Sequence, residues 1–306
     1  MEKQFCIVSD GSCDLPEAVI REKEISVVHF LVSFDGIDYR KEGVEISLKD
    51  FYQQMVDDPK TYPKSAAPSP EDFYHAFVEH GKLGQDILCV CISTKLSAAF
   101  QSAQIAKRMF QEEYPDIRVE VVDSLCATLM QGAFVLELCK LRDAGCSMDT
   151  VLDKIDSLIK SGRILFTVGN LDYLQHGGRI GKVTSLAGTL LDIKPLITLQ
   201  EGEIHSSGVK RGRKKSLEGI VELLVRYYEE NHCTPNDCTV LIGYCHDEAE
   251  GYLLQKMTMD RLHEIYGDVE DIPVCQIGAT IGVHAGPYSI GYGLVQKAVT
   301  DSYEIV

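Results

Sequence analysis

The chain has 306 residues, enough for two domains of roughly 150 residues each. It is 45% hydrophobic and 25% charged, an ordinary globular composition, and no apolar run approaches the ~20 residues of a bilayer span. Its 46 acidic residues against 30 basic ones leave a net charge of −16, which disfavours nucleic acid and anionic membrane surfaces as partners.

Phe5 to Ser9 forms an apolar strand, so the N-terminus reads as structure and not as a cleavable signal, and a cytoplasmic location is expected. The strand leads into the polar turn Asp10-Gly11-Ser12-Cys13-Asp14, with Asp14 expected to cap a helix that has Pro16 just inside it. A second strand is expected from Ile25 to Phe34, turning at Asp35-Gly36 into a return strand ending at Arg40. Ser47 opens a further helix. Ser69-Pro70-Glu71-Asp72 opens another, running to about His80. Ser65, in the proline-punctuated loop before it, has no local role and is a candidate functional hydroxyl.

The most informative stretch runs from Asp86 to Gln104. Seven residues rich in β-branched and apolar types form a buried parallel-type strand, Ala98 onward forms a helix, and Ser93-Thr94-Lys95-Leu96-Ser97 joins them. The free amides that begin a helix, with the positive end of its dipole, suit a bound anion. The turn lacks both Gly-x-x-x-x-Gly-Lys and Gly-x-Gly-x-x-Gly, which favours a small anion such as a carboxylate over a nucleotide. Ser97 either serves that anion or simply caps its helix. Val119 to Val122 adds a strand ending at Asp123-Ser124, followed by helices from Leu125 to Asp143 and Met148 to Lys160. This alternation predicts a doubly wound N-terminal α/β domain over residues 1–162, with the hydroxyls near Ser12, Ser97 and Ser124 converging on one crevice at the strand ends.

From Arg163 the alternation breaks down, which predicts a C-terminal α+β domain over residues 163–306 with a mixed or antiparallel sheet. Its elements are a strand from Arg163 to Val168, a helix from Asn170 to His176, a Gly177-Gly178-Arg179 bend, and a helix from Val183 to Asp192. There follow a hairpin around Glu201-Gly202, helices from Leu217 to Glu230 and Glu248 to Tyr266, and strands at Thr239–Cys245, Val274–Ile277 and Gly293–Val299. Gly177 reads as a helix C-cap, while Arg179 and Lys182 beside it could serve an anion or a partner. Lys210 to Lys215 places five cations in six positions, either a solvated face or a docking patch for an acidic partner or a phosphate. His284 sits among glycines in an expected loop, where it is either structural or in contact with a ligand.

Eleven cysteines without a Cys-x-x-Cys, several of them inside apolar strands (Cys6, Cys89, Cys91, Cys275), read as reduced structural thiols. His75 and His80 miss the i, i+4 spacing of a helical metal pair, and no metal or cofactor is expected.

Several stretches together resemble the DegV family of bacterial fatty acid-binding proteins, which includes the fatty acid-binding subunits of fatty acid kinase. They are Ser9 to Leu15, Ser65 to Ser69, Ile92 to Ser97, Val122-Asp123-Ser124, Leu174 to Ile180, Lys194-Pro195, Arg211 to Lys215 and His284 to Pro287. The resemblance implies a non-catalytic carrier that holds one long-chain fatty acid, with its carboxylate at the domain interface and its tail in an apolar tunnel of the C-terminal domain. Such a carrier would present the carboxylate to a separate ATP-dependent kinase, for acyl phosphate and phospholipid synthesis. The family's carboxylate contacts fall on Ser65, Ser97 and His284, and Ser12, Ser93, Thr94 and Gly278 are expected to support the head group. A family arginine that engages the kinase falls on Arg211, and Arg179 and Arg213 are further expected docking residues. Ser65 stands where many relatives have Thr, Ala66-Ala67 replaces a commoner Ser-Gln, and Ala98-Ala99 replaces Gly-Thr. Two other readings remain: a small-molecule kinase or hydrolase similar to dihydroxyacetone kinase, using His284, and a lipid-independent regulatory module docking through Lys210 to Lys215.

Overall fold

The computed structural model describes residues 5–186 and 192–298. In chain order the first part contains β1 (Phe5–Asp10), α1 (Glu17–Glu22), β2 (Ile25–Val28), β3 (Leu31–Ser33), β4 (Arg40–Lys41), α2 (Leu48–Asp57), β5 (Lys64–Ala66) and α3 (Pro70–Gly81). It continues with β6 (Asp86–Cys91), α4 (Ala99–Glu113), β7 (Val119–Asp123), α5 (Thr128–Asp143) and α6 (Met148–Ser161). The second part holds β8 (Arg163–Thr167), α7 (Asp172–His176), β9 (Ile193–Gln200), β10 (Glu203–Arg211) and α8 (Arg213–Glu230). It closes with β11 (Cys238–Tyr244), α9 (Glu248–Tyr266), β12 (Val274–Gln276), α10 (Ala279–Ala285) and β13 (Ile290–Gln296).

The fold is mixed α/β. A four-stranded sheet in the order β2-β1-β6-β7 is parallel throughout, while a separate six-stranded sheet, β10-β9-β8-β13-β11-β12, is antiparallel except for the β11–β12 pair. Both matched the alternation, and its loss, along the chain. A small third sheet, β4-β3-β5, was not anticipated. The expected strand from Ile25 to Phe34 divides at His29-Phe30, because its first half pairs with β1 and its second half with β4 and β5. That division puts Ser65 on a strand, opposite Val32.

Helix α5 lies between the two large sheets, packing on β1 on one side and on β11 and β13 on the other. It is buried nearly all round and therefore lacks the apolar stripe of a surface helix. The main core runs with it, from β1 residues such as Ile7 through Met130 and Phe134 to Val295.

Ser47 and Ser69 cap α2 and α3 as expected, and Asp72 completes a capping box with Ser69. Asp14 does not cap α1. It adopts φ 49° and turns its carboxylate inward to accept a 2.6 Å hydrogen bond from Thr128 Oγ1, leaving α1 to start at Glu17 after Pro16. The expected helix over 183–192 is seen only as a tight 3-10 turn from Gly181 to Leu186, and residues 187–191 lie outside the described residues, as does the expected strand end at Val299. The 278–287 segment is not a loop: Ala279 to Ala285 form α10, and His284 occupies its last turn. All eleven cysteines are free.

Gly293 is where β13 passes α5, and a Cβ built on it would lie 2.1 Å from Met130 N. Backbone cannot yield there as a side-chain tip can, so Gly293→Ala is expected to cost about 2 kcal/mol or more. Urea unfolding would read this as a lower midpoint at unchanged slope.

Candidate functional site

An apolar cavity of about 250 Å³ opens between the C-terminal ends of the parallel strands, α10 and the mixed sheet. Ile92, Leu129, Phe166, Leu199, Ile281 and Tyr292 supply much of its wall. Tyr292 keeps its ring in the cavity because its hydroxyl is engaged by Thr258 Oγ1 at 2.5 Å. Against this lining a few polar side chains stand out: Ser65, Ser97, His284 and Arg179.

Four different segments bring them together. Ser65 comes from β5, and its hydroxyl lies 3.0 Å from His284 Nε2 on α10. Ser97 precedes α4, whose N-cap is Ala98. The Ser97 hydroxyl accepts a 3.2 Å hydrogen bond from Ala99 N, so it satisfies one helix amide and still faces the cavity. The two roles weighed for Ser97 are therefore compatible, since a hydroxyl keeps a proton to donate while it accepts.

His284 Nδ1 is buried against Gly177 without meeting hydrogen-bond geometry. A Cβ on Gly177 would lie 2.2 Å from it. Gly177 is thus more than a helix terminus: it is the space in which the imidazole sits. Burial, reinforced by the positive charge of Arg179 and opposed by the Gly177 backbone, lowers the His284 pKa from 6.5 to about 4. The ring is neutral at physiological pH and meets Ser65 as an uncharged hydrogen-bonding partner.

Arg179 spans the two sides of the cavity. Its Nε and Nη2 donate to the Leu96 carbonyl at 3.2 and 3.1 Å, and its Nη1 donates to the Gly177 carbonyl at 2.6 Å. It ties the turn bearing Ser97 to the glycine beneath His284. The sequence left Arg179 to serve an anion or a partner; the structure puts its exposed side chain at the cavity rim, and only the fold could show that Leu96 and Gly177 are neighbours.

The other sequence candidates lie elsewhere. Ser12 Oγ is fully buried, 2.7 Å from both Asp10 Oδ1 and Gln131 Oε1. Ser124 donates to the Cys91 carbonyl at 2.7 Å. Of the three hydroxyls expected to converge, only Ser97 lines the cavity, because the other two satisfy polar groups at strand ends of the parallel sheet. Ser93 accepts from Lys95 N at 3.2 Å and Thr94 donates to Asp123 Oδ2 at 2.5 Å, so both shape the Ser97 turn from outside the cavity. Gly278 is the N-cap of α10, and its carbonyl accepts from the Tyr52 hydroxyl at 2.9 Å. In the basic stretch, Lys210, Arg211, Lys214 and Lys215 are exposed. Arg213 instead pairs with Glu250 through both its Nε and Nη2 and donates to the Tyr288 carbonyl at 2.8 Å, so it fastens α8 to α9 and the chain after α10. Among the described residues no cluster of His, Cys, Asp or Glu could hold a metal ion, and no helix is long and apolar enough to cross a membrane.

Residues 4–297 match the profile described as "Uncharacterised protein, DegV family". The chain belongs to the DegV family. A DegV domain-containing protein of Clostridium perfringens is 31% identical over 288 residues, covering 93% of this chain and 94% of the relative. Among solved DegV-fold structures, a stearic acid-binding protein from Eubacterium ventriosum superposes with a TM-score of 0.90 at 36% identity, covering 96% of this chain and 99% of that one. A fatty acid-binding DegV protein from Thermus thermophilus gives 0.85 at 30% identity, again covering 96% and 99%.

The depressed His284 pKa has a definite sign. Between about pH 4 and 6.5 the unfolded chain takes up a proton that the folded ring refuses, so the stabilising contribution is complete above pH 6.5 and is lost as pH falls toward 4. Relative to His284→Gln, the unliganded protein is expected to lose up to about 3 kcal/mol across that window. Urea unfolding of both proteins at a series of pH values would check it, and a difference that stays flat with pH would contradict it.

Proposed function

We propose that this chain binds one long-chain fatty acid, with the carboxylate received by Ser65, Ser97 and His284 and the acyl chain in the apolar cavity. The observation that carries the reading is the pairing of a Ser65–His284 hydrogen bond with a predominantly apolar cavity wall, in a family whose solved relatives from Eubacterium ventriosum and Thermus thermophilus bind fatty acids. The polar groups would come from both parts of the chain: Ser65 and Ser97 from a unit of residues 1–162, and His284 from a unit of residues 163–306.

The energetics suit this division of labour. Burying roughly 15 methylenes at about 0.8 kcal/mol each sets an upper bound of ~12 kcal/mol before ordering costs, so the tail supplies the affinity. Two hydroxyls and a neutral imidazole orient the head group without neutralising it. One carboxylate oxygen would remain nucleophilic toward a phosphoryl group delivered from outside. We therefore read the protein as a non-catalytic carrier that presents its fatty acid to a separate ATP-dependent kinase and then holds the acyl phosphate. The exposed cations Lys210, Arg211, Lys214 and Lys215 supply a surface complementary to an acidic partner.

Native and denaturing mass spectra of protein purified from cells would test the binding: a mass excess of one fatty acid, lost on denaturation, is expected. The Ser65→Ala, Ser97→Ala double variant should retain substantially less lipid under the same conditions, and unchanged occupancy would refute the head-group assignment. Incubation of the pure protein with ATP, magnesium and either fatty acid or dihydroxyacetone should give no turnover. Product formed without any partner would move the reading to a small-molecule kinase.

A further inference from the structure

Behind the cavity wall lies a second polar cluster that the binding reading does not use. Asp14 ends the first strand-turn and Glu42 follows β4; the first is 8% exposed and the second 4%. Each has one satisfied oxygen: Asp14 Oδ2 accepts from Thr128 Oγ1 at 2.6 Å, and Glu42 Oε2 accepts from Thr280 N at 2.7 Å. Each also has one buried oxygen, Asp14 Oδ1 and Glu42 Oε1, with no partner. Thr280 Oγ1, on a residue only 4% exposed, is unpartnered too and sits beside Glu42. A third acid, Asp10, is adjacent, but its carboxylate is fully used, by Ile92 N at 2.7 Å and Gln131 Nε2 at 2.9 Å among others. Gly278 closes the group: a Cβ there would lie 2.4 Å from Asp14 Oδ1 and 3.3 Å from Glu42 Oε2.

Among the described residues no cation pairs with any of these three acids. Lys41 turns away to Asp72 at 3.4 Å. His29, beside the Glu42 backbone, has its pKa lowered by burial and then by Lys41, so it supplies no charge. The remaining titratable neighbours are the Tyr52 hydroxyl and the thiols of Cys13, Cys245 and Cys275. Burial raises all four, Cys245 to about 12 and Cys275 to about 11. Two carboxylates buried on either side of Gly278 with no counter-charge are too costly to keep, whereas a proton retained by either one removes a charge and turns one of its oxygens into a donor.

We propose that Asp14 and Glu42 together retain one proton, forming an acid pair of net charge −1 that clamps the 10–14 turn and the strand layer bearing Ser65 to the start of α10, which bears His284. Loss of that proton loosens this joint, so the cavity wall is held most firmly at and below neutral pH. The position fits the consequence. Thr128 and Thr280, the residues bonded to the two acids, both line the cavity, and β3 pairs with both β4 and β5. Burial raises Glu42 from its ordinary 4.5 to about 7, and Asp14 is pushed well above its usual range by burial and then by Glu42. An acid raised in the folded state contributes stability that is complete below its unfolded pKa and is lost as pH rises. For Glu42 that window is about pH 4.5 to 7, with up to about a tenfold change in the unfolding equilibrium per pH unit.

The test uses delipidated full-length protein, so its outcome stands apart from whether the ligand is a fatty acid. Difference infrared spectra near neutral pH should show a protonated carboxyl carbonyl band that disappears in Glu42→Gln, with Asp14→Asn as the second variant should the first fold poorly. Thermal unfolding followed from pH 5 to 8 should fall with pH in the wild type relative to Glu42→Gln. Absence of the carboxyl band in the wild type, parallel pH profiles, or a stabilisation by sodium, potassium or magnesium ions that Glu42→Gln abolishes would overturn the proposal. If lipid content proved unrelated to fatty acid while the band and the profile behaved as expected, the clamp would stand and only its link to the carrier reading would fall.

Discussion

The structure depends on how closely α5 can approach two sheets at once. A helix buried on all sides must have backbone within reach on both faces, and here the mixed sheet comes near enough because Gly293 presents no side chain to Met130. With that contact in place, the ends of the parallel strands face the mixed sheet instead of solvent. Leu129, Gly291 and Gly293 then become shared wall for the cavity. The close approach on one side of α5 and the open volume beyond it are two results of the same packing.

The cavity separates two tasks by polarity. Its apolar lining can bury a hydrocarbon chain at little desolvation cost, whereas a carboxylate brought into it must find donors or remain wet. Ser65, Ser97 and His284 supply hydrogen-bonding groups without an adjacent acid, and burial holds the imidazole uncharged. Arg179 adds a cation at the rim while its guanidinium is fixed by two backbone carbonyls, so it biases the local potential without closing a salt bridge of its own in the cavity. Fixed neutral donors with one nearby positive charge can orient an anion and leave its nucleophilicity intact. The buried acids Asp14 and Glu42 stay outside the cavity lining, the first held to it through the Thr128 hydroxyl and the second through the Thr280 amide.

Much of the architecture was legible along the chain. Continuous apolar runs at Phe5–Asp10 and Asp86–Cys91 mark strands buried on both faces, and helices such as Glu248–Tyr266 show their limits through caps and charge. The failures were local and have physical causes. Asp14 resembled an N-cap because it stood before Leu15-Pro16, but a deeper partner, Thr128, claimed its carboxylate. The segment around His284 looked like a loop because glycines disfavour helix, yet α10 forms because its glycines lie against other atoms: a Cβ on Gly282 would meet the Tyr52 ring at 2.5 Å. The small sheet was invisible because strands of two or three residues carry no period.

Composition, strand–helix alternation and motif order determined the fold class and the change of architecture near residue 162, since each rests on local propensity and on which side chains must leave water. The residues alone left only Ser65 without a local task, with Ser97 between cap and anion contact and His284 between structural and ligand roles; the family resemblance brought the three together. What the linear chain could not decide is which of the candidate polar groups would be satisfied at home. Ser12, Ser124 and Thr94 found partners inside the first sheet's own turns, and Arg213 found Glu250. Arg179, left between an anion and a partner, is held at the cavity rim by two carbonyls 83 and 2 residues away in sequence. Hydrogen-bond satisfaction in a buried site is settled by neighbours in space, and only the packing of α5 between the large sheets and of α10 against the small one determines who those neighbours are.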